Sequence, residues 1–346
     1  MLLRLGSSAL DFDFTPDTYG FDVDDYRHFP LTLDLASSQR TANRTFIVSH
    51  VGNPGVGFYR YNILDINNPE YYKQFAYTGT EIDPISAHID GANITLPTYG
   101  FEATGAADTL AGMRTWSTPG FKFDLSFVFT SPVILNGGSG TFTWGPYLTT
   151  EWSLVGGVTR GSFIVDDARL DIDPERSLTW CDRQIVWIPA EPAPAASHNW
   201  TWFQLHFDHE DGLRDGKTRP SKISAWIWDY ADNPRVQFAT TLGSSAGQQQ
   251  VTPLTEFSPS DSRTWTSPGC GGTYRLEWEI ALADGTKLHI ETFRDDQEFG
   301  NPKQPSSRRM RDWMHMERMS RDLGLWRFVW RTFDQKITLL ELGACE

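Results

Sequence analysis

Cysteine is scarce. The 346 residues hold three, Cys181, Cys270 and Cys345, too few for a disulfide framework, although one pair, Cys270 with Cys345, stays open. Metal-ligand spacing is missing too. His206-Phe-Asp-His-Glu-Asp211 puts His206 and Asp208 on one strand face, but no second ligand pair accompanies them, so no metal is expected. No apolar run approaches the roughly 20 residues of a membrane-spanning helix. Basic residues are outnumbered, 30 Lys and Arg against 44 Asp and Glu, for a net charge of −14. That excess disfavours nucleic acid and anionic membrane surfaces as partners and suits a small or neutral molecule better than a polyanion. The opening Met1-Leu-Leu-Arg-Leu-Gly-Ser-Ser-Ala-Leu-Asp11 is too short and too soon acidic for a complete signal peptide. With sequons at Asn43, Asn93 and Asn199, the compartment stays open between the cytoplasm and a secretory lumen.

The usual chemical motifs are also weak. Gly243-Ser-Ser-Ala-Gly247 matches G-x-S-x-G, but a nucleophile elbow needs a helix next, and Gln248-Gln-Gln-Val251 with Pro253 reads as a strand after a hairpin turn. Gly212-Leu-Arg-Asp-Gly-Lys-Thr218 has three residues between its glycines where a phosphate loop has four, so it reads as a solvated hairpin tip. Glu277 and Glu279 share a strand face, as a glycosidase pair would. The simpler reading turns Tyr274, Leu276, Trp278 and Ile280 inward and both carboxylates outward.

What the chain does have is rings: aromatics are 14 % of it, with 14 Trp. Strand alternation dominates. Phe121-Lys-Phe-Asp-Leu-Ser-Phe-Val-Phe129 reads as a half-buried strand, and similar runs lie near 44–51, 57–64, 141–155, 162–170, 223–230, 273–282 and 286–293. Ala283-Asp-Gly-Thr286 has the composition of a hairpin turn. Proline-rich 189–198 reads as a linker, dividing the chain into two β domains, 1–190 and 196–346. One helix is expected, over 306–323, where Trp313, Met316, Met319 and Leu323 draw an apolar stripe.

The densest chemistry flanks that linker. Trp180-Cys-Asp-Arg-Gln184 precedes it, and Asn199-Trp-Thr-Trp-Phe-Gln-Leu-His206 follows. Period-two geometry puts Trp200, Trp202, Gln204 and His206 on one strand face and Thr201, Phe203, Leu205 and Phe207 on the other. Two indoles beside an amide and an imidazole suit the wall of an apolar cavity with a few fixed polar groups. Candidate polar residues are Asp182, Arg183, Gln184 and His206. Candidate lining rings are Trp200, Trp202, Trp226, Trp278, Trp116 and Trp313.

Trp180–Gln184, Asn199–Phe203 and Ser224-Ala-Trp-Ile-Trp228 resemble the signature of the AttH/CrtC-like double-lipocalin superfamily, which includes carotenoid hydratases and fungal lipocalin-like pericyclases. Cys181 stands where an aromatic is usual, and Ile185-Val-Trp187 replaces a Trp-Gly ending. The resemblance implies an all-β fold of two lipocalin-like barrels or sandwiches with a C-terminal helix, no cofactor, and a reaction chamber at or between the barrels. It points to a Diels–Alderase of secondary metabolism, in the branch joining a quinone methide to a terpene. Confinement of two reacting partners removes about 7–11 kcal/mol at best, and one hydrogen bond to an electron-poor carbonyl adds about 3–4 kcal/mol. The alternatives are a hydratase or isomerase of an unsaturated terpenoid, in which Asp182 or His206 moves a proton, and a non-catalytic carrier of hydrophobic ligands.

Overall fold

The computed structural model describes residues 31–40, 45–53, 58–77, 88–90, 93–96, 101–105, 113–117, 122–129, 131–144, 147–175, 177–187, 199–207, 213–214, 217–218, 220–229, 234–243, 249–268, 271–292, 294–296, 327–333 and 336–343. The expected linker and the helix bearing Trp313 lie outside them, as does the Cys270–Cys345 pair.

Leu213–Arg214 pairs with Lys217–Thr218, and Thr264–Thr266 with Thr273–Arg275, as two small separate sheets. Two large antiparallel sheets carry most of the described strands. The first runs in the order Tyr72–Tyr77, Phe58–Asp65, Thr45–Asn53, Leu31–Arg40, Leu178–Trp187, Tyr147–Val165, Lys122–Phe129, Met113–Ser117, Phe101–Gly105, Asn93–Leu96, His88–Asp90. The second runs Lys287–Glu291, Glu277–Leu282, Gln249–Pro259, Val236–Gly243, Pro220–Asp229, Asn199–His206, Lys336–Gly343, Arg327–Phe333. The architecture is all-β, as the alternation predicts.

Both sheets curl. In the second, Glu277–Leu282 and Asn199–His206 are four strand steps apart, about 19 Å in a flat sheet. Yet the Trp278 and Phe203 rings sit 5.8 Å apart, edge to face. In the first, Lys73 on one edge strand ion-pairs with Asp166, at the end of a strand five steps away. Only strongly bent sheets make such contacts.

The turns follow residue chemistry. Asp166 and Asp167 have φ of 49° and 63°, the paired left-handed geometry of a two-residue hairpin that aspartate tolerates better than most side chains. The expected run 162–170 is therefore two strands, Tyr147–Val165 and Ala168–Asp171. The run 141–155 is likewise split, into Thr141–Trp144 paired with the start of Tyr147–Val165. At 283–286 only Gly285 has positive φ, 90°. Leu282 N donates to Thr286 O at 2.8 Å, which makes a three-residue loop closed by a left-handed glycine. Gly161, at φ 122°, leaves no room for a Cβ, which would lie 2.0 Å from the Asp124 carbonyl oxygen.

The second sheet encloses an apolar core of Phe203, Leu205, Ile223, Ala225, Ile227, Leu254, Tyr274, Trp278, Ile280, Leu282 and Ile290. Glu277 and Glu279 point away from it. Glu277 accepts from Ser262 at 2.6 Å, and exposed Glu279 meets His289 at 2.5 Å. A glycosidase cleft is thereby ruled out at this pair. Of the serine motif only Gly243 is described, at the end of Val236–Gly243, which pairs with Gln249–Pro259; Ser245 lies outside the described residues.

Candidate active site

The face of Asn199–His206 opposite that core is the chemically mixed one. Register sets Trp200 against Trp228, Trp202 against Trp226, Gln204 against Ser224 and His206 against Lys222. The next strand extends the same face with Phe238, Thr240 and Leu242. Trp202 stacks on Trp226 at 4.8 Å and 16°, and Trp226 on Trp228 at 5.1 Å and 9°. Trp202 Nε1 donates to Ser224 Oγ at 3.1 Å. A ladder of parallel indoles thus passes directly into a buried amide, hydroxyl, imidazole and ammonium.

The first sheet covers this face with a hairpin that leaves Ile134–Leu135, tightens into a single turn at Asn136–Gly138 and returns along Thr141–Trp144. Phe142 places its ring 5.8, 5.5 and 5.4 Å from Trp226, Trp228 and Phe238. Gly137 N donates to Thr240 Oγ1 at 3.0 Å, and Leu135 N to Gln249 Oε1 at 2.9 Å. Gln249 Nε2 donates in turn to the Val133 carbonyl. Trp180 meets His206 edge to face at 5.0 Å, and packs with Ile134, Val155 and Leu242.

Beneath the turn lies a polar cluster. Fully buried Asn136 donates through Nδ2 to Glu151 Oε1 at 2.9 Å and to Ser153 Oγ at 3.1 Å; both partners are buried. Three buried atoms in this region, Asn136 Oδ1, His206 Nδ1 and Trp228 Nε1, have no hydrogen-bond partner among the described residues. Each such group costs about 1–3 kcal/mol when it is kept from both water and a partner, and unsatisfied polar atoms are characteristic of sites that receive a polar guest. Burial pushes the His206 imidazole well below its ordinary 6.5, and the nearby Lys222 ammonium adds to the shift. His206 is therefore neutral at pH 7, a proton acceptor on this mixed face.

The expected site residues separate into groups. Trp202, Trp226 and His206 share one face, and Trp200 occupies a register position on it. Trp278 belongs to the core on the opposite face, against Phe203. Trp116 sits on Met113–Ser117, three strands from Leu178–Trp187. The Asp182-Arg183-Gln184 triplet divides by register. Asp182 pairs with Ser153, Arg183 with Trp152 and Gln184 with Glu151, so Asp182 and Gln184 share a face with the buried polar cluster and Arg183 occupies the other.

Asn136 and Glu151 were not legible as site residues. Thr149, Glu151 and Ser153 alternate with Trp152 and Leu154 as a solvent-facing strand edge would, and Asn-Gly-Gly at 136–138 has the composition of an exposed turn. The one available signal was an ionisable residue within a strand that both flanks mark as buried.

Two curled antiparallel sheets in one chain, joined by a mixed aromatic and polar interface, define a double-lipocalin enzyme scaffold. No family model matches the sequence. Kievitone hydratase of Fusarium solani subsp. phaseoli is 31 % identical over 256 residues, covering 73 % of this chain and 67 % of the relative. Dehydratase asqC of Emericella nidulans is 29 % identical over 299 residues, 78 % of this chain and 79 % of the relative. The crystal structure of kievitone hydratase from Nectria haematococca superposes with a TM-score of 0.66 at 26 % identity, over 90 % of this chain and 87 % of that one. An AttH protein from Nitrosomonas europaea shares the fold, with a TM-score of 0.65 at 16 % identity over 99 % of each chain. The chain belongs to the AttH-like double-lipocalin family that includes kievitone hydratase. Both curated relatives are enzymes, one named for adding water and the other for removing it. Among the described residues, no helix is long and apolar enough to cross a membrane.

Proposed function

We propose that this chain is a hydro-lyase of secondary metabolism, adding water across a carbon–carbon double bond of an unsaturated, largely apolar substrate, or removing it. One observation carries the reading: the kinship with kievitone hydratase coincides with an indole-rich wall that also holds buried proton-handling groups. Hydration of an alkene is redox-neutral and balances with proton transfers alone. It needs an acid to protonate one carbon, a held water to attack the other, and a base for the proton released. Neutral His206 suits an acceptor that helps orient the water. Asp182 and Gln184 share their sheet face with Glu151 and Ser153 and suit the binding of the hydroxyl. The Trp202–Trp226–Trp228 ladder suits apolar binding, and an indole face stabilises developing positive charge on carbon by about 0.5–2 kcal/mol.

A cycloaddition, the reading that the pericyclase resemblance favours, draws on the same apolar wall but moves no proton. It leaves the buried carboxyl and imidazole without a task. The hydro-lyase reading uses them.

Kievitone incubated with the protein in isotopically labelled water separates the two. The expected product carries one labelled hydroxyl by mass spectrometry, and the purified hydrate loses it when returned to ordinary water together with the protein. Unchanged kievitone, together with stereoselective ring formation from a linked diene and dienophile, would replace this reading with the cycloaddition.

A further inference from the structure

Asn136 is held from both sides. Its carbonyl accepts from Gly140 N at 3.0 Å, and the next residue, Gly137, donates to Thr240 Oγ1 in the other sheet. The side-chain amide spends its Nδ2 on Glu151 Oε1 and Ser153 Oγ. With Glu151 Oε1 as the acceptor, ionised or with the carboxyl proton on Oε2, a flipped amide would set two oxygens against each other, which fixes the orientation. Oδ1 is thus directed away from both partners, buried and with no donor among the described residues. An acceptor in that position matches an O–H group. The hairpin does not depend on the carboxyl for its fastening, because Glu151 N donates to Gly140 O at 2.6 Å and Thr141–Trp144 pairs with Tyr147–Thr150 through backbone.

From this geometry, and resting on the hydro-lyase reading, we propose that Asn136, Glu151 and Ser153 form the hydroxyl subsite of the reaction. Asn136 Oδ1 accepts a hydrogen bond from the reacting water or alcohol, and Glu151 carries the proton. In the hydration direction the Glu151 carboxylic acid protonates one alkene carbon, the π bond breaks and a cation forms on its neighbour. The oxygen held by Asn136 bonds to that cation, and its surplus proton returns to the Glu151 carboxylate. One water is consumed, one alcohol is formed and the carboxyl is restored. Ser153 Oγ is a positioning group, holding the Asn136 amide from its second side.

Two measurements test this independently of each other. The first is kievitone hydration by wild type and the size-matched Glu151→Gln. The expected kcat falls about 10²-fold or more, the usual scale of general acid–base catalysis, with KM within about threefold and an unchanged melting temperature. The Asn136→Asp variant sets a second carboxyl beside Glu151, and its acid pH limb moves upward because like charges disfavour ionisation. A folded Glu151→Gln variant with at least a third of wild-type kcat overturns the role of Glu151 and leaves the hydro-lyase reading standing. The second measurement is tryptophan-fluorescence titration with a tertiary alcohol, 2-methyl-4-phenylbutan-2-ol, and with its methyl ether. Wild type is expected to prefer the alcohol about tenfold, and Asn136→Ala to bind the two alike. Equal affinities in wild type, or a preference that survives Asn136→Ala, overturn the subsite. If wild type discriminates but turns over no alkene, the subsite stands and the hydro-lyase reading falls.

Discussion

Protonation of His206 should destabilise the fold, and by an amount that linkage fixes. Its ring is buried, packed edge to face on Trp180 at 5.0 Å, and opposite Lys222 in the strand register. Burial, reinforced by the Lys222 charge, holds its folded pKa well below the ordinary 6.5. The unfolded chain therefore binds a proton that the folded chain refuses. Stability from this group is fully present above pH 6.5 and is lost as pH falls through that value towards the folded pKa. While the folded ring stays neutral, acidification below pH 6.5 removes stability on the order of 1 kcal/mol per pH unit. Other groups titrate over the same interval, so the informative quantity is the difference between wild type and His206→Gln. Urea unfolding at pH 7.5, 6.5, 5.5 and 5.0 should show wild type losing on the order of 1 kcal/mol per pH unit more than the variant below pH 6.5. Parallel lines for the two proteins would mean that His206 is solvated or charged in the fold, and its role as a neutral acceptor would go with it.

Four further outcomes follow from particular contacts. Gly161→Ala drives a Cβ to 2.0 Å from the Asp124 carbonyl at φ 122°, and is expected to abolish the soluble fold or cost about 4 kcal/mol or more by denaturation. Trp226→Ala removes the middle ring of the indole ladder and should cost about 3–5 kcal/mol, with Trp226→Phe milder; calorimetry reads both. Gln249→Ala strips partners from Leu135 N and Val133 O and should cost about 1–3 kcal/mol per buried group left unpaired, read as a lower urea midpoint. Glu279→Gln, at an exposed pair, should leave turnover unchanged and stability within about 1 kcal/mol; a collapse of activity would reopen a carboxylate site on that strand.

The strands were legible because they alternate. Where Phe203 and Leu205 face one way and Trp202, Gln204 and His206 the other, a period-two pattern places both the core and the mixed face before any coordinate is known. Chain reversals inside apolar runs were not legible, because Asp166-Asp167 turns without glycine or proline. Trp278 marks a different limit. Alternation assigns it inward within its own strand, but only the curl of the sheet decides that inward means Phe203 and not the Trp202 face. Asn136 and Glu151 were hidden for the complementary reason: their polar pattern is that of a wet surface, and a surface buried by a second sheet looks the same in one dimension.

Register also divides the Asp182-Arg183-Gln184 triplet between the two faces of its strand. Adjacent residues of a strand cannot serve one face, so a motif that reads as a single polar cluster is divided by the pleat. Asp182 and Gln184 fall on the side of Ser153 and Glu151, whereas Arg183 falls on the side of Trp152, whose ring is buried within the first sheet. A charge on that side is expensive unless it is hydrogen-bonded, so we propose that Arg183 serves the strand and its neighbours the hydroxyl. Singly made variants then divide along the same line. Asp182→Asn and Gln184→Ala should change kcat or KM while the melting temperature holds, and Arg183→Ala should lower the melting temperature while the residual folded fraction keeps its turnover. An Arg183→Ala protein that melts as wild type but has lost activity would put the guanidinium at the substrate and undo the division.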